Sequence, residues 1–95
     1  MNIVPSNAKQ TINSLEIAEL TGKRHGHVIR DIENMLTQLK IGLSEFASTY
    51  YDGKGESRLC YELPPREVKI LITGYDVVRR AKVIDKLGAL EKIAA

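Results

Sequence analysis

Apolar and polar positions in the first part of the chain predict a short helix with defined ends. It begins after Asn13, because Asn side chains often accept hydrogen bonds from the first amides of a helix, and Glu16 completes the pattern of a capping box. Ile17 and Leu20 give this helix its buried stripe. Gly22 can adopt the left-handed conformation that terminates a helix, so we expect the helix to end there.

A second, longer helix is predicted to begin between Arg24 and His27 and to run to about Leu39. Its buried face repeats at helical spacing and consists of Val28, Ile29, Ile32, Met35 or Leu36, and Leu39. A short helix, a glycine, a basic turn and a longer amphipathic helix form the pattern of a helix-turn-helix. Asp31 departs from that pattern, because an apolar residue is expected there. We expect Asp31 either to pair with Arg30 or Lys23 or to cap nearby amides.

The pattern changes from helical to alternating at Phe46 and predicts a β-hairpin. Residues 46–51 and 58–63 are the strands, and Asp52-Gly53 marks a connecting loop of four to six residues. Leu59, Tyr61 and Leu63 are expected on one face of the second strand. Isolated hairpins are marginal in water, so this one must pack on the helices or pair with the N-terminal arm.

Two further helices are predicted after the hairpin. Pro64 and Pro65 stop the strand, and Pro65 suits the first turn of a helix that ends at Gly74 and points Val68, Leu71 and Ile72 inward. The last helix begins near Asp76 and continues to Leu90. Its apolar stripe consists of Val77, Ala81, Ile84, and Leu87 or Gly88, and this stripe fits core packing and a dimer surface equally well.

The order of elements predicts an α+β, winged-helix-like domain, in which a helix-turn-helix is followed by a hairpin wing and two helices. Residues 1–10 are expected to form a flexible N-terminal arm or short edge strand, and residues 11–95 the domain. A chain of 95 residues supports one core, and its single cysteine fits a cytoplasmic protein. Its apolar runs are far shorter than the roughly 20 residues of a membrane span, and because residues 1–5 lack the charged start and apolar run of a secretory signal, we expect no such signal.

Positive charge is clustered, although the net charge is only +2 from 14 basic and 12 acidic residues. Residues 23–30 carry three bases, two histidines and no acid, whereas residues 66–86 carry six bases and three acids. Local clusters determine nucleic-acid binding more than the sum does. For Arg79, Arg80 and Lys82 in the second cluster, a solvated helix face is preferred to contact with the DNA backbone.

The basic turn is therefore the main candidate site, because it coincides with the start of a predicted recognition helix. Basic side chains there can bind phosphates and guanine edges, and free amides at a helix start also attract anions. The predicted DNA contacts are Lys23, Arg24, His25, His27 and Arg30, with Lys54 and Arg58 on the wing. The alternative interpretation of the turn is a solvated basic segment without a partner.

Other chemistry is less well supported by the sequence. His25 and His27 with Cys60 suggest zinc, but residues two apart on a helix point apart and no second ligand pair follows. Cys60 is expected to be a half-buried strand residue rather than a nucleophile. The hairpin tyrosines can stack on bases, although packing is their more common role. We predict no enzymatic activity, no cofactor and no metal.

The chain resembles the Rha family of phage regulatory proteins. The resemblance lies in the segment from Ile17 to Ile32, in Phe46, in the hairpin with its Gly-Lys-Gly loop, and in the segments 60–63, 66–71, 73–75 and 80–85. It covers about residues 11–92 and implies a role in phage or prophage regulation, with DNA binding. Family members often carry a further C-terminal domain, so we expect either a minimal member or one whose partner domain is missing.

The sequence thus predicts a transcriptional regulator that binds double-stranded DNA as a homodimer. Dimers are expected because one helix-turn-helix reads only a short half-site, and the last helix offers the candidate dimer surface. The alternative is an antirepressor module that binds a repressor protein and does not contact DNA. No membrane association is predicted in either case.

Overall fold

The computed structural model describes the backbone of residues 10–94 and the side chains of residues 10–90. The elements, in chain order, are β1 (Ile12–Asn13), α1 (Ser14–Thr21), α2 (His25–Gln38), a 3-10 turn (Leu43–Glu45), β2 (Ala47–Tyr51), β3 (Ser57–Leu63), α3 (Pro65–Ile72) and α4 (Val77–Ala94). The three strands form an antiparallel sheet in the order β1-β3-β2. The predicted α+β class and the order of helices and hairpin are confirmed.

The ends of α1 follow directly from its sequence. The Asn13 side chain accepts a hydrogen bond of 2.7 Å from the Leu15 amide. Gly22 has a φ of 74°, and its amide donates to the Ala18 carbonyl over 2.9 Å. Glu16 differs from expectation: its carboxylate lies 3.0 Å from Lys86 Nζ on α4, so it links two helices instead of completing a capping box.

The hairpin forms as predicted, with a five-residue loop between β2 and β3. Asp52 shapes this loop, because its Oδ1 accepts hydrogen bonds of 2.9 Å from the amides of both Lys54 and Glu56. The hairpin is also paired along its other side, where Ile12 and Asn13 lie opposite Leu63 and Glu62. The edge strand therefore lies at residues 12–13, whereas residues 1–9 of the predicted arm lie outside the described residues.

The core lies between the helices and one end of the sheet. Its fully buried side chains include Ile12, Ile17, Val28, Ile32, Leu36, Leu63, Val68 and Val83. Val68, Leu71 and Ile72 of α3 are buried as predicted. Leu59 is not: it is 44% exposed, because the outer half of the hairpin extends beyond the core that Tyr61 and Leu63 enter.

The last helix buries only one residue of the predicted stripe, Leu87, and leaves Val77, Ala81 and Ile84 exposed. Val77 and Ile84 are 69% and 50% exposed, while Val83 and Leu87 are buried. The contacts of α4 with α1 explain this orientation, since Lys86 pairs with Glu16 and Arg79 Nε donates to the Thr21 carbonyl over 2.8 Å. Core packing is therefore excluded for Val77 and Ile84. None of the helices in the described residues is both long enough and apolar enough to cross a membrane.

Candidate nucleic-acid interface

The start of α2 differs from the start of α1 in having no side-chain cap. Arg24 is the N-cap residue and has extended backbone angles, and its carbonyl accepts from the amides of His27 and Val28 over 3.0 and 3.1 Å. The first turn contains no acidic residue. The positive end of the helix dipole is therefore not balanced by a side chain of its own helix, which favours the binding of an anion.

Three of the predicted contact residues lie on one side of this helix start. Arg24, His27 and Arg30 are three residues apart, so they cover an arc of roughly 120° on the helix surface. All three are exposed. Within residues 10–90, none of them forms an ion pair or a side-chain hydrogen bond with another described residue. These three residues, called here the open basic group, can meet a polyanion without first breaking an internal contact.

Lys23 is held against the body of the domain instead. Its Nζ lies 3.6 Å from Asp31 Oδ2 and 4.8 Å from the centre of the Tyr75 ring, and its side chain is 27% exposed. The Tyr75 hydroxyl also donates to Asp31 over 3.4 Å, and burial, followed by the Asp31 charge, raises the pKa of Tyr75. The predicted pairing of Asp31 with Lys23 is confirmed. Lys23 therefore braces the turn between the two helices.

His25 points inward, although it is only two residues from His27. Its Nε2 lies 2.9 Å from Ser14 Oγ, and Ser14 Oγ accepts a hydrogen bond of 3.0 Å from the Tyr61 amide. The imidazole also contacts the Tyr50 ring edge-on, with centroids 5.7 Å apart. Burial lowers the pKa of His25. This side chain joins α1, α2 and the hairpin, which fixes the direction in which α2 starts.

The hairpin carries two basic residues at or beside its loop, Lys54 and Arg58, and nearby acids compensate the charge of Arg58. Arg58 Nε lies 2.9 Å from Asp52 Oδ2, and Arg58 Nη2 lies 3.4 Å from Glu56 Oε1. The backbone amide of Glu56, followed by the Arg58 side chain, lowers the pKa of Asp52. Lys54 is exposed and has no described side-chain partner. The loop therefore offers one available cation rather than the two that the sequence suggests.

The hairpin tyrosines have different environments. Tyr61 is buried, its hydroxyl donates to Glu33 over 2.9 Å, and burial raises its pKa to about 12. Tyr50 packs against His25, whereas Tyr51 is 74% exposed. Packing is thus the role of Tyr50 and Tyr61, and Tyr51 alone of these three has a ring available to a partner.

Arg79 makes structural contacts, although the sequence favours a solvated helix face for it. It lies in the first turn of α4, where its guanidinium donates to the Asp76 carboxylate over 2.7 Å. It also donates to the Thr21 carbonyl at the end of α1. Arg79 and Thr21 are 58 residues apart in the chain, so no local sequence pattern reveals this contact. Within residues 10–94, no group of three or more metal-ligating side chains occurs, and Cys60 is buried beside Asn13.

Comparison of the chain with known proteins identifies its family. The family model described as phage regulatory protein Rha matches residues 12–92. An uncharacterized protein of Haemophilus influenzae is 33% identical over 84 residues, which cover 80% of this chain and 47% of that protein. The chain thus spans about half the length of this curated relative. No solved structure matches the chain. The match extends from β1 into α4 and includes the whole basic turn, and the chain therefore belongs to the family of the phage regulatory protein Rha.

Proposed function

We propose that this phage regulatory domain binds double-stranded DNA through the open basic group at the start of α2. The proposal rests on the difference between paired and unpaired positive charges. The side chains of the open basic group are exposed and have no described partner. Lys23 and Arg58, by contrast, are paired with carboxylates. Leaving cations unpaired on one side of a helix start is favourable when a phosphate backbone completes the site.

The uncapped first turn of α2 supports the same interface. Amides at a helix N-terminus and arginines beside it can bind the same phosphate, while the arginine forks reach guanine edges in the major groove. The His25–Ser14–Tyr61 contacts hold this turn in place. A fixed helix start loses little conformational entropy on binding, which favours affinity. Lys54 on the hairpin loop is the proposed wing contact, and Lys23, His25 and Arg58 support the site without contacting DNA.

A titration followed by NMR tests the proposed interface. Adding a short duplex to the ¹⁵N-labelled protein should shift the amide resonances of residues 24–30 most, those of the hairpin loop less, and those of α4 least. Repeating the titration with dextran sulfate distinguishes shape-dependent docking from attraction to any polyanion. Shifts confined to α4, or no shifts at low salt, would contradict the proposal.

A protein-binding antirepressor is the second candidate function, and one observation favours it. An apolar groove of about 410 Å³ lies between α3 and α4, where Ile72, Ile84 and Leu87 line it and Arg80 lies beside them. A regulatory protein that bound a repressor here would show negligible, salt-independent affinity for duplex DNA. Ile84→Asp would then abolish repressor binding, while Arg24→Ala would leave it unchanged.

A further inference from the structure

The two edges of the three-stranded sheet are built differently. At one edge, β1 is two residues long, and Asn13 and Thr11 donate from their side chains to the Glu62 carboxylate over 2.7 Å. At the other edge, β2 is five residues long and contains no charged residue and no proline. Exposed edge strands are normally protected by being short or by carrying lysine, proline or a bulge. The β2 edge has none of these protections.

The pairing of β2 with β3 determines which of its backbone groups are free. The Glu62 amide donates to the Phe46 carbonyl over 2.9 Å, and the Asp52 amide donates to the Glu56 carbonyl over 3.0 Å. These contacts belong to the hydrogen-bonded positions of the ladder, which alternate with non-bonded ones. Ser48 and Tyr50 are therefore bonded to β3. The amides and carbonyls of Ala47, Thr49 and Tyr51 point away from it, and within the described residues they have no backbone partner.

From these features we infer that β2 is a self-pairing edge, which joins two copies of the chain into a continuous six-stranded sheet. An antiparallel pair with a two-fold axis at Thr49 places Thr49 opposite Thr49 and Ala47 opposite Tyr51 of the other copy. All three outward residues then occupy hydrogen-bonded positions, so all six free groups of each β2 strand are satisfied.

A second copy suits this edge better than an unrelated peptide because of charge and register. A two-fold axis sets like residues near each other, and an uncharged strand is the one case in which that arrangement costs no repulsion. Because β2 has three residues with outward backbone groups, the central one, Thr49, can lie on the two-fold axis. Tyr51, which is 74% exposed, lies on β2 itself, so a partner's strand beside β2 would cover part of its area.

The mass of the protein in solution tests this inference in the absence of DNA, so the result is independent of the proposed DNA binding. Sedimentation velocity over a range of concentrations should show the mass of two chains. Thr49→Pro removes the central outward amide, which β3 does not use, and should give a monomer with an unchanged circular dichroism spectrum. Thr49→Val keeps the amide and should remain dimeric.

Two outcomes would overturn the inference. The first is a wild-type monomer at every concentration up to about 1 mM, a Kd that corresponds to only about 4 kcal/mol. The second is a dimer that Ile84→Asp dissociates and Thr49→Pro does not, since the interface would then be the exposed stripe of α4.

Disulfide trapping tests the register without depending on the proline variant being folded. Directly opposed residues at hydrogen-bonded positions have Cα atoms about 5.5 Å apart, within the range that a disulfide spans. Thr49→Cys should therefore form a covalent dimer under mild oxidation. Ala47→Cys is the matched control, because in this register residue 47 lies opposite Tyr51 of the other copy, and within its own chain it lies opposite Tyr61, not opposite the native Cys60. Equal trapping of both variants, or no trapping of Thr49→Cys, would contradict the register.

Discussion

The start of α2 and the hairpin loop both expose positive charge, but they differ in whether nearby acids compensate it. In the loop, Asp52 and Glu56 are within two to six residues of Arg58 and bind its guanidinium. At the helix start, Arg24 and Arg30 have no carboxylate partner in the described residues, and the nearby acids Asp31 and Glu33 are bound to Lys23 and to the Tyr61 hydroxyl. A basic side chain that is paired with a carboxylate of its own domain is therefore less available to a nucleic acid than an unpaired one.

The largest expected effect comes from removing the support of the helix that carries the open basic group. Ile32 is fully buried, so Ile32→Asp places an unpaired carboxylate in the core and should cost at least about 3 kcal/mol of unfolding free energy. Urea denaturation measures the loss. Asn34→Asp is the matched control, because it adds the same charge at an exposed position of the same helix. Equal stability of the two variants would mean that α2 does not face the core as described.

The next largest effect separates the two basic regions directly. Arg24→Ala combined with Arg30→Ala should weaken duplex binding by about 30- to 150-fold, as expected for the loss of two charge-assisted contacts of about 1–1.5 kcal/mol each. Arg58→Ala is the control and should change affinity less than about threefold, since this guanidinium is already paired. Fluorescence anisotropy provides both affinities. A larger effect from Arg58→Ala would reverse the assignment of the two regions.

A smaller gain is expected when the hairpin loop is made to resemble the helix start. Asp52→Asn retains an oxygen that can accept from the amides of Lys54 and Glu56, but it removes the charge that holds Arg58. Duplex affinity should therefore rise by about two- to threefold, which is the effect of one added, mobile cation near phosphate. Ser57→Ala, an exposed change on the same hairpin, should leave it unchanged. A decrease in affinity would show that the Asp52 charge itself positions the loop.

The smallest expected effect is on the pH dependence of stability, and it concerns His25, which points inward, whereas His27 is exposed. Burial lowers the pKa of His25 below its ordinary value of 6.5, so the unfolded chain binds a proton more readily than the folded protein does. The stabilisation from neutral His25 is complete above about pH 6.5 and is lost progressively as the pH falls below that value. His25→Gln should flatten the decline in unfolding free energy between pH 7.5 and 5.5. A decline as steep as that of the wild-type protein would contradict the inward position of His25.

Local signals in the sequence were sufficient for the ends of the elements. Asn13 caps α1, Gly22 ends it with a positive φ, the Asp52-Gly53 turn closes the hairpin, and Pro65 occupies the first turn of α3. Each of these roles depends on contacts within a few residues, so residue type and spacing reveal it. The Rha resemblance, which rested on motifs spread along the chain, is confirmed over residues 12–92.

Contacts between distant segments could not be read from the sequence in the same way. The apolar residues of α4 form two overlapping stripes, and only the contacts with α1 and the core select Val83 and Leu87 over Val77 and Ile84. The inward position of His25 depends on Ser14 and on Tyr50 of the hairpin. The pairing of Lys23 with Asp31 was one of the alternatives that the sequence left open, although the same sequence also predicted Lys23 as a DNA contact.

The salt dependence of duplex binding tests the central claim most directly, because it counts the phosphates that the protein neutralises. Each contact contributes a slope of about −0.9 in a plot of log K against log salt concentration. We expect a steep slope for the wild-type domain and a slope shallower by about 1.8 for the variant lacking both Arg24 and Arg30. A wild-type affinity that does not change with salt, or equal slopes for the two proteins, would contradict this claim.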